Sequence, residues 1–221
     1  MIAQDLISDS IPPVKSTDTL GNALDWMGEF KLNQLPVVDH RTFKGLITEN
    51  DLLDAADLDA FVSDFQYVGW KSAYVHANQH IYELIQVMGN LKLELIPVLS
   101  EEEEYLGVVT LKDLLRHLGD QFAVQEPGSI LVIQVPQNSY VLSEIGRIAE
   151  SADAKILSFY LKVLPDEGSI QITIKVNVED PNRVVAAFER FDYKVMETYR
   201  RRSSSDDARR NYNALMKYLD I

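Results

Sequence analysis

The 221-residue chain contains no cysteine, which removes disulfide frameworks, thiolate metal sites and thiol nucleophiles from consideration. Histidine is scarce too: His40, His76, His80 and His117 are scattered, and no His-Glu metal motif occurs. Basic residues are in deficit. The 21 Lys and Arg against 34 Asp and Glu leave a formal charge of −13, and affinity for a polyanion comes from Lys and Arg displacing counterions. A nucleic-acid partner is therefore not expected, although one helix N-terminus can hold a small anion without a basic surface. No apolar run approaches the roughly 20 residues that cross a bilayer, and "MIAQDLISDS" has neither the basic start nor the unbroken apolar stretch of a signal peptide. A cytoplasmic protein without membrane contact is the expectation. Gly-rich phosphate loops and nucleophile elbows are also missing, so no catalytic residue is assigned and no enzyme is expected.

What the chain does have is a good supply of core-forming residues, 46% hydrophobic, arranged in a repeat. Leu35-Pro36-Val37-Val38 falls on Ile96-Pro97-Val98-Leu99 at an offset of 61, while Gly45, Thr48 and Asp51 fall on Gly107, Thr110 and Asp113 at 62. The inserted residue lies in the acidic turn "SEEEEY". Its run Glu101 to Glu104 reads as a solvated hairpin tip rather than a metal site. Upstream, Leu20, Ala23, Leu24 and Met27 match Ile81, Leu84, Ile85 and Met88, both with the spacing of a helix's buried face. Each unit reads as an extended piece ("PPVKS" or "SAYVHA"), helix, strand, hairpin, strand, and a last helix opening at the Asp. Short apolar strands interleaved with helices give an α/β sandwich of the α+β class. Units of about 50 residues are small for independent stability, so the two copies are expected to share a core.

Thr48 with Asp51, and Thr110 with Asp113, have the spacing of a capping box, in which the hydroxyl accepts from a backbone N–H and the acid reaches back. The same junction suits a nucleotide. A helix N-terminus tolerates phosphate, and a carboxylate accepts both hydroxyls of a ribose diol.

With these features in hand, residues 1 to about 122 resemble the tandem cystathionine-β-synthase-type (CBS) pair, or Bateman module: the helix with its Leu/Ile and Met face, the apolar-Pro-Val-apolar strand and Gly-x-x-Thr-x-x-Asp all occur twice. The resemblance implies a non-catalytic sensing module that binds an adenine nucleotide (AMP, ADP or ATP) or S-adenosylmethionine. It would place ribose on Asp51 and Asp113, with Thr48 and Thr110 on the phosphate side. The base would lie against Pro36 in one site and Pro97 in the other, with backbone from Ile11 and Pro12 or from Ser72 and Ala73. The family's phosphate grip often includes a His, Arg or Lys from elsewhere in the module, and none is assignable here beyond the four histidines as candidates. Asn33-Gln34 against Glu94-Leu95 before the two Pro-containing strands implies that the pockets differ.

After "VQEPGS" the pattern changes. "SILVIQVP" reads as a strand, then a helix follows with Val141, Leu142, Ile145, Ile148 and Ala149 on one face, then "KILSFYLKVL". Ile170, Ile172, Ile174, Val176 and Val178 alternate with polar residues, the period of a sheet with one buried face. Asp180-Pro181 opens a helix, and "YKVMETY" is a fourth strand. The order βαββαβ is ferredoxin-like and resembles an ACT domain; the whole chain resembles CBS–ACT regulatory proteins of the acetoin-utilisation type. Amino-acid-binding ACT domains place a Gly in the first strand-to-helix loop, where this chain has Tyr140. A dimerising role is therefore favoured over amino-acid sensing, for which Asn138 and Ser139 would be the ligand loop. The expected organisation is a first CBS domain at 1–62, a second at 63–122, a linker at 123–128, an ACT-like domain at 129–200, and a C-terminal linker with an amphipathic helix at 201–221. That helix would present Ala208, Tyr212, Leu215, Met216 and Leu219, and the assembly expected is a homodimer whose regulated target is unnamed by the sequence.

Overall fold

A computed structural model describes residues 1–8, 10–64, 72–200 and 216. The terminal helix expected at 201–221 lies, but for Met216, outside the described residues. The chain divides into two compact units, Met1–Leu118 and Gly119–Ile221.

In the first unit, helix α1 (Leu20–Phe30) is capped by the Thr19 hydroxyl, which accepts from Asn22 N. It buries Leu20, Ala23 and Met27 and ends where Lys31 turns left-handed at φ 55°. Strand β1 (Gln34–Asp39) pairs antiparallel with β2 (Thr42–Thr48), and the short α2 (Glu49–Leu53) follows at once. The second copy repeats this order. A short strand β3 (Val75–His76) precedes α3 (Ile81–Leu91), which buries Ile81, Leu84 and Met88 and again ends in a left-handed Lys92, also at φ 55°. Then come β4 (Leu95–Leu99), β5 (Tyr105–Thr110) and α4 (Leu111–Gln121). Val14 meets Val37 in parallel as Val75 meets Val98, and both hairpins carry a bulge at the equivalent place. The buried stripe is narrower than the sequence periodicity predicts: Leu24 is half-buried and Ile85 is 37% exposed.

The two copies share a core. Leu46 of β2 packs with Leu84, Ile96 and Val108 of the second copy, and so do Ala3 and Leu6 from the N-terminal segment. That segment runs alongside the second copy, with Ser8 N donating to Val108 O at 2.8 Å and Ala3 N to Gln79 O at 2.9 Å. Across the repeat, Asn33 and its counterpart Glu94 bind each other directly: Asn33 N and Nδ2 donate to the Glu94 carboxylate at 3.1 and 2.9 Å. Ser16 ties the first extended piece to the end of β1. Its hydroxyl and amide donate to the Asp39 carboxylate, and the hydroxyl bond holds Asp39 below the usual carboxylate range against partial desolvation.

The second unit contains β6 (Ser129–Pro136), α5 (Leu142–Ser151), β7 (Ile156–Leu164), β8 (Ser169–Val176), α6 (Asn182–Arg190) and β9 (Lys194–Arg200). The antiparallel sheet order β7-β8-β6-β9 is that of the ferredoxin-like fold. Ile170, Ile172, Ile174 and Val176 are buried against Ile145, Ile148, Val184 and Phe188. The first turn of α5 departs from the expected face, since Val141 and Leu142 are 48% and 54% exposed. Burial of this helix begins only at Ile145, where it comes over the sheet.

Gly128 sits at φ 152°, and a Cβ there would come 2.0 Å from the Val176 carbonyl oxygen. Backbone cannot retreat as a side-chain tip can, so Gly128→Ala is expected to destabilise the C-terminal unit by about 1–3 kcal/mol, measurable by urea denaturation.

Candidate functional site

Both Thr–Asp pairs form the caps their spacing predicts. At α2 the Thr48 hydroxyl accepts from Asp51 N at 3.2 Å, and Asp51 Oδ2 accepts from Thr48 N at 3.0 Å and from Thr48 Oγ1 at 2.6 Å. At α4 the Thr110 hydroxyl accepts from Asp113 N at 3.0 Å and donates to Asp113 Oδ2 at 2.6 Å. There the resemblance ends. Asp113 Oδ1 is held by Arg116 Nη2 at 2.5 Å, whereas the bonds described for the Asp51 carboxylate all fall on Oδ2.

Thr110, Asp113 and Arg116 line a cleft of about 760 Å³. Its other walls bring together pieces distant in sequence. Ser8, Ser10 and Ile11 come from the N-terminal segment, Lys31 and Leu32 from the end of α1, Glu94 from the start of β4, and Lys112 from α4. The N-terminal segment reaches the rim because Gly107 has no side chain: a Cβ there would stand 2.5 Å from Ile7 Cγ2. Lys31 reaches the cleft from the left-handed residue that ends α1, a conformation unusual for a side-chain-bearing residue. Three cations thus border the cleft beside two carboxylates, Glu94 and Asp113.

At the repeat-equivalent positions the chemistry is reversed. Lys112 and Arg116 correspond to Asn50 and Asp54, Leu111 to Glu49, and Glu94 to Asn33, leaving Lys92 as the counterpart of Lys31. Glu49, Asp51 and Asp54 therefore cluster around α2, a helix of only five residues against eleven in α4.

Of the residues expected from sequence, Ile11 joins Thr110 and Asp113 in this cleft. Thr48, Asp51 and Pro12 line neither of the cavities described. Pro36 and Pro97 are buried within β1 and β4, with Pro36 O accepting from Val14 N at 2.9 Å. Ala73 packs into the shared core, and Ser72 is exposed directly after residues 65–71, which lie outside the described residues. None of the four histidines lines the cleft: His40 occupies a turn at φ 47°, His76 Nε2 lies 3.0 Å from Glu103 Oε1, His80 caps α3, and His117 lies on α4. Lys31, Lys112 and Arg116 are the residues sequence reasoning missed. The available signal was the charge difference between "LKDLLR" and "ENDLLD" at matched positions. Glu101 and Glu104 bind Asn78 Nδ2 and Arg41 Nη1. Among the described residues no three His, Asp or Glu side chains are gathered for a metal ion.

In the C-terminal unit Asn138 and Ser139 lie in an exposed 3₁₀ turn, and Tyr140 stacks on Phe159 with ring centroids 6.4 Å apart. A second cavity of about 530 Å³ is bordered by Phe122, Val124, Ile130, Tyr160 and Lys175, and neither Asn138 nor Ser139 reaches it.

The CBS domain family model matches residues 3–57 and 63–120, together just over half of the chain, and the chain belongs to that family. It is 31% identical over 128 residues to hypoxic response protein 1 of Mycobacterium tuberculosis, covering 56% of this chain and 89% of that protein. It is also 27% identical over 132 residues to inosine-5'-monophosphate dehydrogenase of Methanocaldococcus jannaschii, but covers only 26% of that enzyme. Among solved structures, a CBS domain pair/ACT domain protein from Thermotoga maritima matches with a TM-score of 0.50 and 27% identity, covering 54% of this chain and 98% of that one. Among the described residues, no helix is long and apolar enough to cross a membrane.

The caps have a stability consequence independent of any ligand. Thr48→Ala and Thr110→Ala are each expected to cost about 1 kcal/mol, read as a lower urea midpoint for the N-terminal unit.

Proposed function

We propose that this protein is a non-catalytic regulator whose CBS pair binds one adenosine-containing nucleotide, AMP, ADP or ATP, in the cleft at Thr110. The observation that carries this reading is the convergence of a capped carboxylate, Asp113, with Lys31, Lys112 and Arg116 around one cavity. Asp113 takes the ribose hydroxyls on the acceptor positions its cap leaves free, a carboxylate having about four. The three cations and the Thr110 end of α4 face the phosphates. S-adenosylmethionine carries a sulfonium in place of phosphate and suits this charge less well. The Thr48 side, with Glu49, Asp51 and Asp54, disfavours a polyanion through like-charge repulsion.

Binding acts by differential affinity for two arrangements of the module, and α4, which starts at the cleft and leads into the linker, carries the change onward. The ACT-like domain serves homodimerisation: the edge strand β7 exposes Leu161 and Val163 at 42% and 45%. Amino-acid sensing by Asn138 and Ser139 is the weaker reading, because Tyr140 occupies the loop position where a Gly would admit a ligand to the backbone. A competing account makes the CBS pair purely structural, and it is favoured by the closure of both Thr–Asp pairs on themselves.

Thermal unfolding separates the two. ATP or AMP at 100 times its dissociation constant is expected to stabilise the folded chain by about 2.7 kcal/mol. The shift should vanish in Asp113→Ala and persist in Asp51→Ala. Absence of any shift with AMP, ADP, ATP and S-adenosylmethionine leaves the structural account standing.

A further inference from the structure

We infer that Arg116 is a partial specificity gate: its pairing with Asp113 disfavours unphosphorylated adenosine in the cleft and favours a ligand whose phosphate draws the guanidinium away. The inference rests on the nucleotide reading above, which it deepens.

Each Asp113 oxygen already accepts one bond: Oδ2 from the Thr110 hydroxyl at 2.6 Å and Oδ1 from Arg116 Nη2 at 2.5 Å. The first bond belongs to the helix cap and is matched at Asp51. The second has no equivalent, because Asp54 stands at the repeat position of Arg116. The Arg116–Asp113 pair thus belongs to one half of a duplicated site and has no counterpart in the other.

Exposure says which partner can leave. The Asp113 side chain is only 15% exposed, while that of Arg116 is 63% exposed. The carboxylate is fixed by its cap, and the guanidinium, on a long side chain, is free to swing. An exposed ion pair of this kind is held by a small net free energy, so a modest competitor displaces it. Arg116 lines the same cleft as Lys31 and Lys112, so a phosphate entering there offers Arg116 a bidentate partner without moving it out of the site.

The exchange balances charge. Before binding, Arg116 neutralises Asp113. With a phosphate in the cleft, Arg116 faces it and Asp113 Oδ1 loses its cationic partner, leaving both of its acceptor positions to the ribose diol. Adenosine alone brings the diol but no anion, so its second hydroxyl competes with Arg116 for Oδ1. Phosphorylation state is therefore read indirectly, through whether the carboxylate becomes available. The acidic Thr48 side, lacking an arginine at this position, has no such device.

The gate makes a prediction of opposite sign for two ligands, which a plain phosphate contact does not. Full-length wild type and Arg116→Ala are titrated calorimetrically with AMP and with adenosine. Arg116→Ala is expected to weaken AMP by about tenfold or more, the loss of a charge-assisted contact, and to tighten adenosine by several-fold. Arg116→Lys, which keeps the charge but not the fork, should recover part of the AMP affinity. If adenosine affinity falls with AMP, or is unchanged, the gate is overturned and Arg116 is an ordinary phosphate contact. The nucleotide reading stands in that case, as long as Asp113→Ala abolishes AMP binding. If wild type binds neither ligand, both the reading and the gate fail together.

Discussion

The first CBS copy buries Leu35, Val37 and Ile47 within itself, but Leu46 on the other face of its hairpin is closed only against the second copy, and that constraint organises the N-terminal unit. Each copy is a strand pair with two helices, small for independent stability. The remedy is mutual. Leu46 of the first copy enters the core of the second, and Ala3 and Leu6 are contributed from the segment that precedes the first. Asn33 and Glu94, equivalent residues, hydrogen-bond to each other where the copies meet. Because the N-terminal segment must run along β5 to complete this packing, Ser8, Ser10 and Ile11 arrive beside Thr110. The cleft is a by-product of the way the core is closed.

The question of cap or ligand site then loses its either-or character. The bonds that cap α4 are the same bonds that fix the Asp113 carboxylate at the cleft rim. A group that has to present acceptors to a ligand gains from being held by local structure, since the ordering cost is met at folding and not at binding. What distinguishes the two halves is the surrounding charge: cations around α4, carboxylates around α2. Duplication supplied two scaffolds, and Lys31, Lys112 and Arg116 gather at one of them.

Much of this was legible in the sequence. The repeat, both caps, the helix faces and the βαββαβ order follow from spacing and period, because local hydrogen bonding and burial decide them. The shared core was foreseeable from unit size. What could not be read was which distant segments meet. Ile11 was expected as backbone for a base pocket, but that it stands beside Thr110 depends on the Ser8–Val108 bridge, a long-range pairing without a local signature. Lys31 was passed over because nothing in "FKLN" announces a left-handed helix end that turns toward a cleft. Arg116 stands out in the sequence only through its mismatch with Asp54 at the matched position. In the C-terminal domain the apolar face of α5 was drawn one turn too early, since periodicity does not say where a helix first meets its sheet.

The central claim is positional: one nucleotide per chain, in the cleft at Thr110, with its ribose on Asp113. The most direct measurement is a crystal structure of the full chain grown with AMP. The account predicts ligand density between Asp113, Lys31 and Lys112, with Arg116 turned from Asp113 toward the phosphate, and none beside Asp51. Density at Asp51, or a well-ordered crystal grown in saturating AMP with neither cleft filled, would contradict it.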